Sequence, residues 1–138
     1  MAEFFFSKLN GTNVVPPVAT LASGLAFLGT DDSLTMITFI ISVNDLNQYT
    51  SAQLRLGLPG SNGPVVATLF ETCRRSISVG PGTVFGTITR EDLLGPLSGR
   101  SIEVFVRRMA LESVYINVTS ERFPKGEIRG QVISPFER

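Results

Sequence analysis

Between residues 115 and 132 the segment YINVTSERFPKGEIRGQV carries Tyr115, Asn117, Thr119, Glu127, Arg129 and Gln131 at alternating positions, and AQLRL earlier in the chain does the same with Gln53 and Arg55. Alternate residues of a strand share one face. If these strands are neighbours, Gln53, Arg55, Tyr115, Asn117, Glu127 and Arg129 form one polar face, able to bind a partner or to pair across strands. Cross-strand ion pairs and hydrogen bonds are the ordinary means of fixing register, and that use is the expected one. The glycines that bracket Glu127 and Arg129 in GEIRG suit close backbone packing or a bulge.

Catalysis has less to work with. The chain has no histidine and one cysteine, Cys73. Arg74 and Arg75 in ETCRRS favour its thiolate, but the usual imidazole base is missing. A structural or surface cysteine is expected. It cannot form an intrachain disulfide, which leaves a reducing compartment and an intermolecular bridge both open. The carboxylates Asp31, Asp32, Glu91, Asp92, Glu103, Glu112, Glu121 and Glu127 are scattered along the chain. TDDS has the hard oxygen ligands of a calcium loop, yet adjacent aspartates in a hairpin are more often turn formers. The GPG at residues 80–82 lacks the helix and lysine of a phosphate loop. No enzyme, cofactor or metal is expected. Two glycosylation sequons occur, at Asn10 and Asn117, the second within a strand pattern where it reads as chance.

The elements that must position these residues are strands. Period-two alternation runs through most of the 138 residues. SAQLRLG turns Ala52, Leu54 and Leu56 inward, SIEVFVR turns Ile102, Val104 and Val106 inward, and SVYINVT turns Val114, Ile116 and Val118 inward. LTMITFIISV, residues 34–43, sets Ile37, Phe39, Ile41 and Val43 on one face and Leu34, Met36 and Ile40 on the other, as in a central strand or one packed on both sides. Further strands are expected at 3–9, 22–29, 65–70, 83–88 and 127–133, separated by Gly/Pro breakers such as LPGSNGP and FPKG. Some eight or nine short strands at this spacing indicate a β-sandwich or barrel. One helical turn is expected in TREDLLGPL, capped by Thr89.

Composition narrows the partners. Lys plus Arg (12) equals Asp plus Glu (12), so no overall field attracts nucleic acid or an anionic membrane. The longest apolar run is about half of the ~20 residues needed to span a bilayer, so no membrane insertion is expected. No signal peptide is visible, since Lys8 interrupts the first apolar stretch. The chain is only 17% charged and 43% apolar with a positive mean hydropathy, which suits a surface covered by other copies or a partner. EFFFSKL puts Phe4, Phe5 and Phe6 on both faces of an N-terminal strand. Either that strand lies between two layers or an outward Phe5 meets another subunit.

Four stretches, KLNGTNVVPPVATLASGLAFL, AQLRLGLPGSNGPVVATL, GTITREDLLGPLSG and YINVTSERFPKGEIRGQV, occur in an order that resembles the CHRD (chordin-type) domain over nearly the whole chain. The specific pieces are VPPV, NGPVV and the terminal P-x-GEIRGQ. The resemblance implies an immunoglobulin-like or superoxide-dismutase-like Greek-key sandwich with no enzyme activity established for the class. Family members carry histidines in AHIH-like and VNVHT-like strands, where this chain has Gln53, Arg55 and Thr119. Neither Gln nor Arg replaces imidazole as a zinc or copper ligand.

The expectation is therefore one all-β, antiparallel Greek-key β-sandwich over residues 1–138. The leading function is structural or scaffolding, through homo-oligomeric assembly in an extracellular, cell-surface or spore layer, with Phe4, Phe5, Phe6 and Cys73 at the interface. A cytoplasmic location stays open. The alternative is a binding module that recognises a protein or glycan through its loops and the polar face.

Overall fold

The alternation predicted along the chain is realised as nine strands in the computed structural model, which describes residues 3–71, 77–79 and 82–134. They are β1 (Phe4–Asn10), β2 (Ser23–Thr30), β3 (Met36–Asn44), β4 (Leu46–Leu56), β5 (Val65–Glu71), β6 (Ile77–Val79), β7 (Gly82–Thr89), β8 (Val114–Ser120) and β9 (Ile128–Gln131). All pairings are antiparallel, in the order β5-β4-β8-β9-β1-β2-β3-β7, with β6 also paired to β4. β1 to β3 form a meander. The chain then crosses to β4 and later from β7 back to β8, the non-local connections expected of a Greek-key class.

The sheet curls nearly closed. Its two end strands approach where the Leu94 N–H, just beyond β7, donates to the Val66 carbonyl of β5 at 2.8 Å. Inward residues of all the long strands meet in one core, including Phe5, Leu28, Ile41, Leu54, Val66, Ile88 and Ile116. Closure leaves little unpaired edge for aggregation. Tyr49 is buried in this core with its ring centroid 4.5 Å from that of Phe70, and its hydroxyl has no hydrogen-bond partner among the described residues. Burial pushes the phenol pKa well above its usual value.

One predicted strand is a helix. SIEVFVR belongs to α1 (Ile102–Ala110), whose buried residues are Ile102, Phe105, Val106 and Met109, the spacing of one helical face. Ser101 caps it by accepting the Val104 N–H at 3.3 Å, and Glu103 in the first turn and Arg107 and Arg108 in the last turn complement the helix dipole. The helical turn predicted in TREDLLGPL is present as two short 3-10 turns, Arg90–Asp92 and Gly95–Leu97, the first begun by the Thr89 N–H donating to Asp92 Oδ2 at 2.9 Å. No helix of the described residues is long and apolar enough to cross a membrane.

The N-terminal strand reverses the expected parity. Phe5 is inward and 2% exposed, whereas Phe4 is exposed and Phe6 half-buried on the outer face. Phe5 is therefore a core residue. On β3 the inner set Ile37, Phe39, Ile41 and Val43 is as predicted, while Met36 and Ile40 stay exposed instead of packing against a second layer. Leu34 lies outside the strand, in the β2–β3 turn at φ 55°.

Candidate functional site

Register brings the predicted polar residues together. β4, β8 and β9 align Gln53 with Asn117 and Arg129, and Arg55 with Tyr115 and Gln131, while Ser51 faces Thr119. All lie on the outer side of the sheet, yet the outer side is not open. Tyr115, Asn117, Thr119, Glu127 and Arg129 are buried, because the loops around residues 11–18, 57–63 and 121–126 fold over them.

Arg129 organises this layer. It is 2% exposed and donates to Asn62 Oδ1 (3.0 Å), the Leu58 carbonyl (3.1 Å) and the Ser61 carbonyl (2.6 Å), with its guanidinium 3.5 Å from the centroid of the Tyr115 ring. Burial lowers its pKa; Tyr115 opposes that shift and the neighbouring Arg55 adds to it. Arg55 donates to the Gly63 carbonyl (2.8 Å) and Gln53 Oε1 (3.1 Å), and the Gly63 N–H donates to the Tyr115 hydroxyl at 2.9 Å. Gly63 has no room for a side chain, since a Cβ there would stand 1.6 Å from the Leu56 carbonyl oxygen. The NGPVV motif is thus a strap laid tightly across the polar face.

Glu127 and Arg129, same-face neighbours, do not pair with each other. Glu127 accepts from the Thr20 and Ser120 hydroxyls, each at 2.6 Å. An ion pair does form on α1, the exposed Arg107–Glu103 contact. Of the cross-strand ion pairs and hydrogen bonds expected here, the Ser51–Thr119 hydroxyl bond at 2.6 Å joins β4 to β8, while most of the other polar side chains bond to loop backbone. Gln131 Nε2 donates to the Gly57 and Glu112 carbonyls, and Asn117 Nδ2 to the Lys125 carbonyl, so the second sequon is buried and engaged. The close packing expected of GEIRG is observed at Gly130, where a Cβ would lie 2.2 Å from the Lys8 carbonyl oxygen.

Between two of the covering loops a cleft of about 510 Å³ remains open. Its floor is Arg55, Tyr115 and Asn117; one wall is Val14 to Val18 and the other Arg122 to Gly126, with Asn62 at the side. Both walls are tied down. Asn62 Nδ2 donates to the Val15 carbonyl at 3.0 Å, and the opposite turn is held by Asn117 at the Lys125 carbonyl and by the Phe123 N–H on Ser120 Oγ. Sequence reasoning found the floor but missed both walls as a site, although FPKG was visible as a breaker and VPPV as a piece of the resemblance.

A second surface lies on the opposite part of the barrel. Phe6 faces Phe27, Phe27 faces Ile40 and Ile40 faces Phe85, so one apolar row crosses β1, β2, β3 and β7 on the outer face. Phe27 and Phe85 are 54% and 76% exposed, and Phe4 stands beside them. Phe4 and Phe6 belong to this surface and Phe5 does not. Cys73 lies outside the described residues.

The TDDS loop is a turn. Asp31 accepts from the Thr35 and Met36 N–H groups at 2.7 and 3.1 Å and from the Thr35 hydroxyl. Among the described residues no three Cys, Asp or Glu side chains converge as metal ligands would.

A nearly closed antiparallel sheet with a loop-capped polar face is the class of protein these features define. The CHRD domain family model matches residues 5–132, and the chain belongs to that family. No match was found among curated proteins. At the positions where the resemblance calls for histidine, Gln53 and Arg55 sit on β4 and Thr119 on β8, and Thr119 bonds the Ser51 and Thr50 hydroxyls at 2.6 and 2.7 Å.

Proposed function

We propose that this domain is a non-catalytic structural module that assembles with copies of itself through the outer face of β1, β2, β3 and β7. The observation that carries this reading is the unbroken row of Phe6, Phe27, Ile40 and Phe85 on a face where Lys8 is the only charged outward residue of the four strands. Surfaces of soluble domains ordinarily intersperse charges of both signs, and a contiguous exposed apolar patch marks an interaction site. The outer face of a sheet can meet its own copy about a two-fold axis, and a chain of zero net charge offers no overall repulsion to that approach.

The test is the mass of the untagged protein by size-exclusion chromatography with light scattering, compared with Phe27→Lys and Phe85→Lys. Both positions are exposed, so neither change opens the core. The wild type is expected to be oligomeric and both variants monomeric. A monomeric wild type at high concentration, or variants of unchanged mass, would remove this face from the function. A second use, recognition of a partner by the loop-covered polar side, is favoured by a different observation, the cleft between the two tied loops.

A further inference from the structure

The cleft is basic and holds no acid. Arg55, Arg122 and Lys125 contribute to its lining, and no Asp or Glu does. Arg122 and Lys125 are exposed and have no carboxylate partner among the described residues; Arg122 only lies over the Phe123 ring, 5.3 Å from its centroid. Three cations lining one concavity in a chain of zero net charge create a local positive potential, which a concave low-dielectric site focuses. The rest of the lining is apolar or aromatic: Pro16, Pro17, Phe123 and the Tyr115 ring.

We infer that this cleft binds an extended peptide segment in which an acidic side chain is flanked by apolar residues. The cations recognise the carboxylate, and the proline and aromatic walls take the flanking side chains. A sugar chain would need more hydrogen-bonding side chains than Asn62 and Asn117 supply, which favours peptide over anionic glycan. The walls are fixed before a ligand arrives, by Asn62 on the Val15 carbonyl and Asn117 on the Lys125 carbonyl, so little ordering cost opposes binding. The inference rests on the binding use of this cleft and is independent of assembly through the aromatic face.

The experiment is selection of a displayed random hexapeptide library on the folded domain, with the enriched peptide then titrated by fluorescence polarisation beside an oligogalacturonate. Enrichment of Asp or Glu between apolar residues is expected, with affinity at least about tenfold weaker in Arg122→Glu/Lys125→Glu and falling as salt rises. Both substituted side chains are exposed, so the variant keeps its fold, which circular dichroism verifies. Enriched peptides without an acid, affinity untouched by the double substitution, or binding of oligogalacturonate alone would overturn the inference while leaving a ligand to be explained. No binding by either probe would overturn the binding use of the cleft as well.

Discussion

Arg129 is a cation held in the protein without an anion. Three oxygens and the face of Tyr115 stand in for a carboxylate, and each of those oxygens belongs to the 57–63 loop. A planar fork suits this arrangement and a point charge does not, because Lys can reach one carbonyl but cannot also stack. Arg129→Lys is therefore expected to destabilise the domain by about 2–3 kcal/mol, by orphaning buried acceptors and losing the ring contact. Urea unfolding checks this; an unchanged midpoint would mean that the loop is held by other contacts. The residue was legible in the sequence as polar and outward. Its burial was not, since that depends on a loop some seventy positions earlier in the chain folding back over it.

At the scale of elements, the β2–β3 connection shows how much one turn depends on charge. The Thr35 hydroxyl, then the Thr35 and Met36 N–H groups, hold the Asp31 carboxyl below its usual pKa of 3.8. A folded-state pKa below the unfolded one contributes stability that is present above the unfolded value and is lost as pH falls through the folded one. Asp31→Asn should accordingly lower the melting temperature at neutral pH, with the gap to wild type closing as the pH falls below 3.8 and the folded carboxyl becomes protonated. A gap that stays constant with pH would assign the effect to the amide's geometry. Most strands were readable because one buried face imposes alternation, and parity on β1 was readable in principle from Lys8, which must face water and so sends Phe4 and Phe6 outward with it. Ser7 misleads there, being a polar residue that is fully buried. α1 was misread because Ile102, Val104 and Val106 satisfy a strand while Ile102, Phe105, Val106 and Met109 satisfy a helix, and the Ser101 cap that decides between them is one short side chain.

For the whole molecule, the two sides of the barrel differ in chemistry and should differ in response to solution conditions. The row through Phe27 and Ile40 is uncharged, so assembly through it should survive high sodium chloride and strengthen in sulfate, which favours burial of apolar surface. Light scattering across both salts tests this, and assemblies that dissolve in sodium chloride would point to ionic contacts elsewhere. No periodicity in the sequence could separate these two outer surfaces, because loops cover one and leave the other bare, and where loops lie is a long-range outcome of closure.

The loop-capped layer has a consequence for how the domain opens. β8 has the hydrophobic core beneath it, the polar strap and turn above it, and β4 and β9 on either side; all seven of its residues are buried. Alternate amide protons of a central strand donate to one neighbour and then to the other, so those directed at the long strand β4 open only when β4 and β8 separate, while the Ser120 N–H, on the Phe123 carbonyl, opens with the turn. Deuterium uptake at the β4-directed amides should therefore be the slowest in the domain, with Ser120 exchanging ahead of them, which makes one edge of this strand an internal clock for global stability.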